Sequence, residues 1–419
     1  MKRGLVGHPL GHSYSKGIHE EINHKEYQLF DLDSEAFDKF FENKEFEAVN
    51  VTIPYKEKVL KYLDYIHPKA RKIGAVNTVV NKDGKLFGYN TDYSGFKFLV
   101  KYHNIEFANK NVLILGTGGT SKTTYCVVKD LHCASVNKVT TQKGTKWISY
   151  DDLVEGHPAL ENTDIIINTT PVGMYPNVDK QPIDLSKFKR LEAVVDVIYN
   201  PYKTKLLLQA KELGIKYVGG LLMLVAQAVY AAEIFDNSKE VNYHERKELI
   251  ISIYKKILFN SVNIVLVGMP GCGKSTIGKM LAESLNLTFY DLDDAFKYKY
   301  KKTASQVISE LGNAEFRKME TEIVKEYCGI KNSVIATGGG VVTINENYDY
   351  FKHNSIIIYI KRKPLPKTLK KNRPLSQDLD AWERLFNERK DLYLSWKDYQ
   401  VEGMYRKVDT LKKVLNIFK

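Results

Sequence analysis

Short apolar runs alternate with longer amphipathic stretches along most of this chain, a pattern typical of parallel α/β proteins. The clearest buried strands are predicted at Asn111–Leu115 and Asn263–Val267, which are rich in Val, Ile and Leu. Helices are predicted at residues 276–285, at Leu221–Phe235 and at residues 241–258.

The same alternation divides the chain into three α/β segments. We predict the first at residues 1–95, the second at 96–220 and the third at 261–419, with the helices of residues 221–259 between the last two. No Gly/Ser-rich linker marks the boundary near Asn260. The expected fold class is therefore α/β, in more than one domain.

A phosphate-binding loop is predicted where the third segment begins. Residues 268–275 have the sequence G-M-P-G-C-G-K-S, which matches G-x-x-x-x-G-K-[ST] and stands between a predicted strand and a predicted helix. Backbone N–H groups and the helix N-terminus hold phosphate oxygens in such a loop. The alternative, a glycine-rich turn that binds nothing, would need neither the strand before it nor the helix after it. Lys274 is expected at the β- and γ-phosphates and Ser275 at Mg²⁺. The residues assigned to nucleotide binding are Gly271, Cys272, Gly273, Lys274, Ser275 and Thr276.

Two carboxylates follow this loop. Residues 287–294 are predicted to form a strand on which Asp291 and Asp293 point to one face. The loop by itself fits a nucleotide kinase or a nucleic-acid-dependent ATPase as well as a small-molecule kinase.

A second glycine-rich turn follows the strand Asn111–Leu115. Residues 116–121, G-T-G-G-T-S, give the strand, turn and helix order of dinucleotide-binding folds. Their spacing departs from G-x-G-x-x-G, so this turn alone is a weak signal.

Composition and charge narrow the function class. Hydrophobic residues make up 43% and charged residues 27%, as in soluble globular proteins. No apolar run approaches about 18 residues, and the four cysteines are scattered, so we expect a cytoplasmic protein with no membrane segment. The net charge of +12 fits nucleic acid or small anionic substrates equally well. His8, His12 and His19 lack the compact spacing of metal ligands, and we interpret them as surface or packing residues.

Six further motifs lie in order within residues 1–257, and together with the glycine turn they resemble shikimate dehydrogenase. The motifs are residues 7–15 (G-H-P-L-G-H-S-Y-S), 50–56 (N-V-T-I-P-Y-K), 74–78 (G-A-V-N-T), 90–92 (N-T-D), 168–174 (N-T-T-P-V-G-M) and 223–227 (M-L-V-A-Q). The resemblance implies a substrate-binding domain in residues 1–95, completed by the helices of residues 221–259, and a Rossmann-type NADP domain in residues 96–220. It implies reduction of 3-dehydroshikimate to shikimate.

The resemblance also implies the site of that reaction. Lys56 would give a proton to the ketone oxygen, and Asp92 would hold and tune Lys56. The implied substrate contacts are Ser13, Ser15, Asn50, Thr52, Asn77 and Gln227. The implied cofactor contacts are Gly116, Gly118, Gly119, Thr120, Ser121, Lys143, Thr169, Thr170, Met174, Tyr199 and Gly220.

The choice of cofactor depends on one cation. The family often has Asn-Arg-Thr after the second strand of the dinucleotide fold, and this chain has T-T-Q-K-G at residues 140–144. Lys143 replaces the arginine as a point charge without its bidentate fork. We therefore expect NADPH, with weaker discrimination against NADH. Quinate stays open as an alternative substrate.

The third segment resembles shikimate kinase over residues 262–405. The motifs are the phosphate loop, the two aspartates, residues 315–317 (E-F-R), 338–340 (G-G-G), 372–375 (N-R-P-L) and 389–393 (R-K-D-L-Y). The resemblance implies phosphorylation of the shikimate 3-hydroxyl by ATP with Mg²⁺.

The kinase resemblance assigns a role to each of these positions. Asp291 would lie on the Mg²⁺ side, and Asp293 would orient or deprotonate the substrate hydroxyl. Arg317 and Arg389 would clamp the substrate carboxylate, which suits the guanidinium fork. Gly338, Gly339 and Gly340 would let the backbone approach the substrate, and Arg373 would close over the transferred phosphate. For Arg317, the alternative is an exposed helix residue paired with Glu320.

Both resemblances lead to one substrate, because the product of the first reaction is the substrate of the second. The expected protein is a bifunctional shikimate-pathway enzyme that uses NADPH, ATP and Mg²⁺. We expect small-molecule partners, neither nucleic acid nor membrane, and a monomer or dimer. The alternatives from other classes are a regulatory phosphate-loop protein with a ligand-sensing first half and a nucleic-acid-binding ATPase.

Overall fold

The computed structural model describes residues 2–11, 13–23, 25–237, 242–362 and 379–418. The chain folds as two compact units, Met1–Ile257 and Leu258–Lys419. Among the described helices, none combines the length and the apolar character that crossing a bilayer requires.

The first unit begins with a six-stranded sheet in the order β2-β1-β3-β5-β6-β4. Its strands are β1 (Lys2–Gly7), β2 (Gln28–Asp31), β3 (Phe46–Val51), β4 (Tyr65–Ile66), β5 (Thr78–Lys82) and β6 (Lys85–Tyr89). Its helices are α1 (Ser15–Asn23), α2 (Ser34–Asn43), α3 (Pro68–Ile73) and α4 (Asp92–Tyr102).

This sheet is mixed, whereas the alternating pattern predicts only parallel strands. Strands β1, β2 and β3 are parallel, but β5 runs antiparallel to both β3 and β6. The cause is local, because Asp83 and Gly84 both have positive φ, at 51° and 80°, and close a two-residue hairpin between β5 and β6. An Asp-Gly pair favours this kind of turn.

The second sheet of this unit is parallel in every strand pair of its order β12-β11-β10-β7-β8-β9. Its strands are β7 (Asn111–Leu115), β8 (Ser135–Thr140), β9 (Ile148–Ser149), β10 (Ile165–Asn168), β11 (Ala193–Asp196) and β12 (Lys216–Val218). Its helices are α5 (Gly119–Asp130), α6 (Pro158–Asn162) and α7 (Lys205–Glu212), followed by α8 (Leu221–Phe235) and α9 (Tyr243–Ser261).

Two features of this topology matter for a site. The strand order reverses between β7 and β10, which opens a crevice at the carboxyl ends of these strands. Helix α8 is buried along most of its length, and it packs on α4, α1 and the first sheet. It therefore brings residues from a late part of the chain next to β3 and β5.

The second unit contains one parallel sheet in the order β14-β15-β13-β16-β17. Its strands are β13 (Asn263–Val267), β14 (Thr288–Asp291), β15 (Ser333–Ala336), β16 (Ser355–Lys361) and β17 (Tyr399–Glu402). Its helices are α10 (Lys274–Leu285), α11 (Leu292–Tyr300), α12 (Ala304–Cys328), α13 (Asn345–Phe351), α14 (Leu379–Trp396) and α15 (Lys407–Asn416).

The predicted strands Asn111–Leu115 and Asn263–Val267 and the predicted helix Leu221–Phe235 are confirmed. The strand predicted over residues 287–294 is wrong beyond Asp291, where helix α11 begins. The Asp291 carboxylate caps this helix by accepting the backbone N–H of Asp293 at 3.0 Å. Asp293 therefore lies in the first turn of a helix, and the two aspartates do not alternate along a strand.

Candidate functional site

Lys56 and Asp92 form a buried ion pair in the first unit. Lys56 follows β3, and Asp92 is the first residue of α4, where a carboxylate also complements the helix dipole. The Lys56 ammonium donates to Asp92 Oδ2 at 2.6 Å, and the exposed fractions of the two side chains are only 13% and 8%. The two residues that the sequence predicts to act together are thus joined in a short ion pair.

A buried network of amides and hydroxyls lies behind this pair. The Asn77 side chain accepts the backbone N–H of Thr91 at 2.7 Å and donates to Thr91 Oγ1 at 3.1 Å and to Gln227 Oε1 at 3.4 Å. Asn50 donates to the Asn77 carbonyl and to Thr78 Oγ1, both at 3.2 Å. The structure therefore brings Asn50, Asn77 and Gln227 together, as the sequence predicts.

Sequence reasoning missed three members of this network. Thr78 and Thr91 share a hydrogen bond of 3.0 Å, and the Tyr27 hydroxyl donates to Asn50 Oδ1 at 2.8 Å. Thr78 and Thr91 stand inside motifs that were already recognised, so their position in those motifs was an available signal. Tyr27 carries no such signal, because its partner is distant in sequence.

Ser13, Ser15 and Tyr199, three more of the predicted site residues, lie near one another in the first unit. The Ser13 hydroxyl accepts the backbone N–H of Ser15 at 3.2 Å, and Ser15 is the buried first residue of α1. The Tyr199 ring lies 5.4 Å from that of Tyr14. Burial raises the pKa of the Tyr199 phenol, and the Ser13 side chain partly opposes this. Thr52 directly follows β3, and its backbone N–H bonds the Val6 carbonyl at 2.9 Å.

The glycine turn lies against Lys56. Gly118 caps α5, Gly119 and Thr120 begin it, and the Ser121 hydroxyl donates to the Gly116 carbonyl at 2.7 Å. A Cβ on Gly119 would lie 3.4 Å from Lys56 Cβ. The N-terminus of α5 has free backbone N–H groups that suit a pyrophosphate, so a dinucleotide held there would come close to Lys56.

The other predicted cofactor residues lie near the carboxyl ends of the same parallel strands. Thr169 and Thr170 follow β10, and Thr169 Oγ1 donates to the Leu115 carbonyl at 2.6 Å. Met174 is exposed, and Gly220 precedes α8. Lys143 follows β8, but its ammonium contacts Asp151 Oδ2 at 2.8 Å on the surface. The carboxylate raises the pKa of Lys143 and competes with any phosphate for its charge.

In the second unit, the phosphate loop has the backbone that its motif predicts. Gly271 and Gly273 have positive φ, at 82° and 104°, a conformation that strains any side chain. Lys274 is buried and folds back onto the loop, donating to the Gly268 carbonyl at 2.8 Å and the Met269 carbonyl at 3.2 Å. Cys272 is buried, whereas Ser275 is exposed at the start of α10.

Arg317 is held at the same edge of the sheet by Glu320. The Arg317 Nη1 donates to Glu320 Oε2 at 2.5 Å, and both side chains are more than nine-tenths buried. A Cβ on Gly340 would overlap the Arg317 guanidinium at 2.1 to 2.4 Å, so any other residue there would displace this guanidinium. The alternative prediction for Arg317 was an exposed helix residue paired with Glu320. The pairing with Glu320 is present, but Arg317 is buried.

Arg389 lies beside Arg317. Its Nη1 donates to the Gly339 carbonyl at 3.1 Å, and its Nε is buried with no hydrogen-bond partner among the described residues. Burial lowers the pKa of Arg389, and the nearby charge of Arg317 lowers it further. Arg317 is paired with Glu320, whereas Arg389 is bonded to a neutral carbonyl, so the guanidinium of Arg389 is suited to bind an anionic ligand.

Asp293 faces the same glycine segment. A Cβ on Gly338 would lie 2.6 Å from Glu320 Oε1 and 3.1 Å from Asp293 Oδ1. Burial raises the pKa of Glu320, Arg317 opposes this, and the negative charge of Asp293 adds to it. Asp293, Arg317 and Arg389 are therefore gathered around residues 338–340, and Asp291 is in register with Ala336 on the strand that leads to them. Arg373, predicted to close over the phosphate, lies outside the described residues.

The described histidines of the N-terminal motif region, His8 and His19, have different surroundings. His8 is exposed and contacts Asp31 at 2.7 Å. His19 is buried and stacks on Tyr27 with 4.0 Å between ring centroids. Burial lowers the pKa of His19 to about 3. His12 lies outside the described residues.

Comparison with known proteins assigns both units. A family model described as the shikimate dehydrogenase substrate binding domain matches residues 5–79, and one described as shikimate kinase matches residues 270–417. The shikimate dehydrogenase (NADP(+)) of Clostridium perfringens is 37% identical over 270 residues, which cover 58% of this chain and 96% of that protein. The chain belongs to the shikimate dehydrogenase family. A shikimate kinase domain follows in the same polypeptide, so this is a bifunctional enzyme of the shikimate pathway.

Solved structures agree with the assignment of the first unit. Shikimate dehydrogenase 1 from Peptoclostridium difficile is 36% identical with a TM-score of 0.56, over 61% of this chain and 98% of that one. The Thermus thermophilus enzyme, solved with NADP(H) and shikimate, is 28% identical with a TM-score of 0.52, over 60% of this chain and all of that one. The shikimate dehydrogenase fold predicted from the motifs is confirmed.

Proposed function

We propose that the first unit reduces 3-dehydroshikimate to shikimate with NADPH and that the second phosphorylates the 3-hydroxyl of shikimate with ATP and Mg²⁺. The observation that carries the first half is the buried Lys56–Asp92 pair next to the Asn50–Asn77–Gln227 network. The observation that carries the second is the Arg317–Glu320–Arg389 cluster beside the phosphate loop.

In the first reaction, Lys56 donates a proton to the ketone oxygen as the carbonyl is reduced. Asp92 keeps the lysine charged and aimed, because the two groups share a short hydrogen bond away from water. The amide network would hold the ring hydroxyls, and Ser13 and Ser15 would hold the carboxylate. Bound NADPH supplies the hydride, and the N-terminus of α5 beside Lys56 fits its pyrophosphate.

In the second reaction, Arg317 and Arg389 would bind the shikimate carboxylate and fix the ring. Asp293 would then accept the proton of the 3-hydroxyl or orient it. Lys274 would leave the loop carbonyls for the β- and γ-phosphates. Ser275 and Asp291 supply the hydroxyl and carboxylate oxygens that suit a Mg²⁺ ion.

One experiment tests both halves. The purified whole chain is given shikimate with NADP⁺ in one cuvette, and the absorbance of the reduced cofactor is followed. A parallel sample with Mg·ATP is analysed by mass for shikimate phosphate. We expect signal in both, and a silent half would contradict its assignment and direct attention to quinate and other hydroxy acids.

A further inference from the structure

Asp196 is a carboxylate buried at the end of strand β11 in the first unit, and none of the sequence motifs includes it. Its exposed fraction is 0%, and the groups that donate hydrogen bonds to it are uncharged. A carboxylate is costly to bury unless such donors compensate its charge. Burial raises the pKa of Asp196 to about 6, and the hydrogen bonds oppose this rise. The group is therefore charged at neutral pH and depends on the donors around it.

Three donors surround this carboxylate, and they come from two separate strands and the segments after them. The Asn168 side chain, at the end of the neighbouring strand β10, donates to Oδ1 at 3.1 Å. The backbone N–H of Ile198 also donates to Oδ1, at 3.0 Å, and the Thr204 hydroxyl donates to Oδ2 at 2.7 Å. Asp196 therefore ties the end of β10 to the segment that follows β11.

Asn168 transmits this restraint to Thr170, one of the predicted cofactor contacts. Because its amide N–H donates to Asp196, Asn168 keeps its Oδ1 for Thr170, where it accepts the backbone N–H at 3.0 Å and the hydroxyl at 2.7 Å. An amide in the reverse orientation would oppose one N–H with another and lose the first of these bonds. The charge of Asp196 thus selects the orientation of Asn168 that fixes Thr170.

Thr170 in turn lies against the glycine turn. A Cβ on Gly116 would be 3.1 Å from side-chain atoms of both Thr169 and Thr170. All three residues are predicted cofactor contacts, so the restraint that begins at Asp196 reaches the edge of the predicted dinucleotide site.

The segment after β11 is held by the same carboxylate. It carries Tyr199, another predicted cofactor contact, between the two donors Ile198 and Thr204. The Asn200 carbonyl accepts the backbone N–H of Tyr175, which directly follows Met174 in the segment after β10. The two segments are thus joined through Asp196 and again by this backbone bond.

We propose that Asp196 is a positioning residue for NADP(H), which acts through Asn168 and Thr204 on the two segments that contact the cofactor. Its oxygens are occupied by three donors and closed to solvent, so it acts through them and not by contact with the cofactor. Segments that are fixed in advance need no ordering when the cofactor binds, which strengthens binding. This inference rests on the cofactor site proposed for the first unit.

The test uses the whole chain and compares Asp196→Asn with wild type. Because the amide lacks the charge that orders the donors, we expect the Kd of NADP⁺, measured by calorimetry, to rise about tenfold. The KM for shikimate at saturating NADP⁺ and the kinase rate of the same preparation should stay within twofold. A merely structural role would reduce the amount of active enzyme or shift both constants together.

Asp164→Asn is the matched control, because Asp164 is also a buried aspartate and directly precedes β10, at the opposite end of that strand. Its carboxylate accepts the backbone N–H of Asn111 at 2.8 Å. This variant should lower the Tm and leave the Kd of NADP⁺ within twofold of wild type. A Kd within twofold of wild type in Asp196→Asn would overturn the inference, and so would an equal rise in Asp164→Asn or in the KM for shikimate.

Two variants of Thr204 decide the matter if Asp196→Asn does not fold. Thr204→Val removes the hydroxyl that donates to Asp196 and should raise the Kd of NADP⁺ about fivefold, whereas Thr204→Ser keeps this hydroxyl and should stay within twofold. Equal Kd values for these two variants would overturn the inference. Failure of the wild type to bind NADP⁺ would overturn the proposed cofactor site itself, so the two failures are distinguishable.

Discussion

The two units hold their reactive charges in opposite ways. In the first, Lys56 is already paired with Asp92, and the amides and hydroxyls around the pair bond one another. In the second, Arg317 is paired with Glu320, but Arg389 donates to the Gly339 carbonyl and Lys274 donates to the carbonyls of the phosphate loop. In the proposed reactions the first site moves a proton, whereas the second uses cations that are bonded to neutral carbonyls and are therefore able to bind anionic substrates.

The largest expected effects come from removing one lysine in each unit, because each change should abolish one activity and spare the other. Lys56→Ala should lower the dehydrogenase rate by about 10²–10⁴, because the general acid is lost, and leave the kinase within twofold. Lys274→Ala should do the reverse, since it removes a cation from the transferred phosphates. Both activities are measured on the same preparation, with the exposed Lys61→Ala as a control. Loss of both activities from either change would show that the two units are not independent.

The arginine pair gives the next largest effect. Arg389→Lys keeps the charge but loses the planar fork, so the KM for shikimate in the kinase reaction should rise about tenfold or more, with a smaller change in kcat. Arg384→Lys is the matched control on the same helix, because Arg384 is exposed. An unchanged KM in Arg389→Lys would exclude this residue from carboxylate binding.

The sequence predicts a site contact well when the residues involved belong to short motifs, and poorly when the contact joins segments that are far apart in the chain. The strands before both glycine loops and the Lys56–Asp92 pair were predictable, because each belongs to a short motif with a clear role. The hairpin at Asp83–Gly84 and the end of β14 at Asp291 were not, since a turn and a cap override the longer pattern.

Contacts between segments that are distant in the sequence were also not predicted. The burial of Arg317 against Gly340 joins a helix to a loop that follows the next strand, and no spacing in the sequence encodes that approach. The same holds for the hydrogen bond from the Lys407 ammonium to Thr276 Oγ1, which joins residues 131 positions apart. Residues of this kind depend on the sheet order, which only the folded structure supplies.

A pH experiment sharpens the contrast by testing a neutral buried group of the first unit. The pKa of His19 falls from an ordinary value near 6.5 to about 3 in the folded state, because the ring is buried. Above pH 6.5 the ring is neutral in both states, and the folded state has its full stability with respect to His19. As the pH falls from 6.5 towards 3, the unfolded chain binds a proton that the folded chain does not bind, so this stability is lost. Relative to His19→Phe, the wild type should lose about 1.4 kcal/mol of unfolding free energy per pH unit below 6.5. Denaturant unfolding of both proteins at pH 7.0, 6.0 and 5.0 measures this difference in unfolding free energy. If the free energies of wild type and His19→Phe fell in parallel, His19 would be protonated in the folded state, against the prediction.

The smallest expected effect concerns Lys143, the cation that we predict to contact the cofactor in the first unit. Lys143 is exposed and already contacts Asp151, so its hold on a 2′-phosphate is weakened by a competing carboxylate. Lys143→Ala should therefore raise the KM for NADPH only about two- to fivefold and leave the KM for NADH unchanged. Asp151→Asn is the complementary variant, and it should lower the KM for NADPH because Lys143 loses its competitor. Equal rates with NADH and NADPH in the wild type would contradict the choice of NADPH, and an unchanged NADPH KM in both variants would remove Lys143 from the cofactor site.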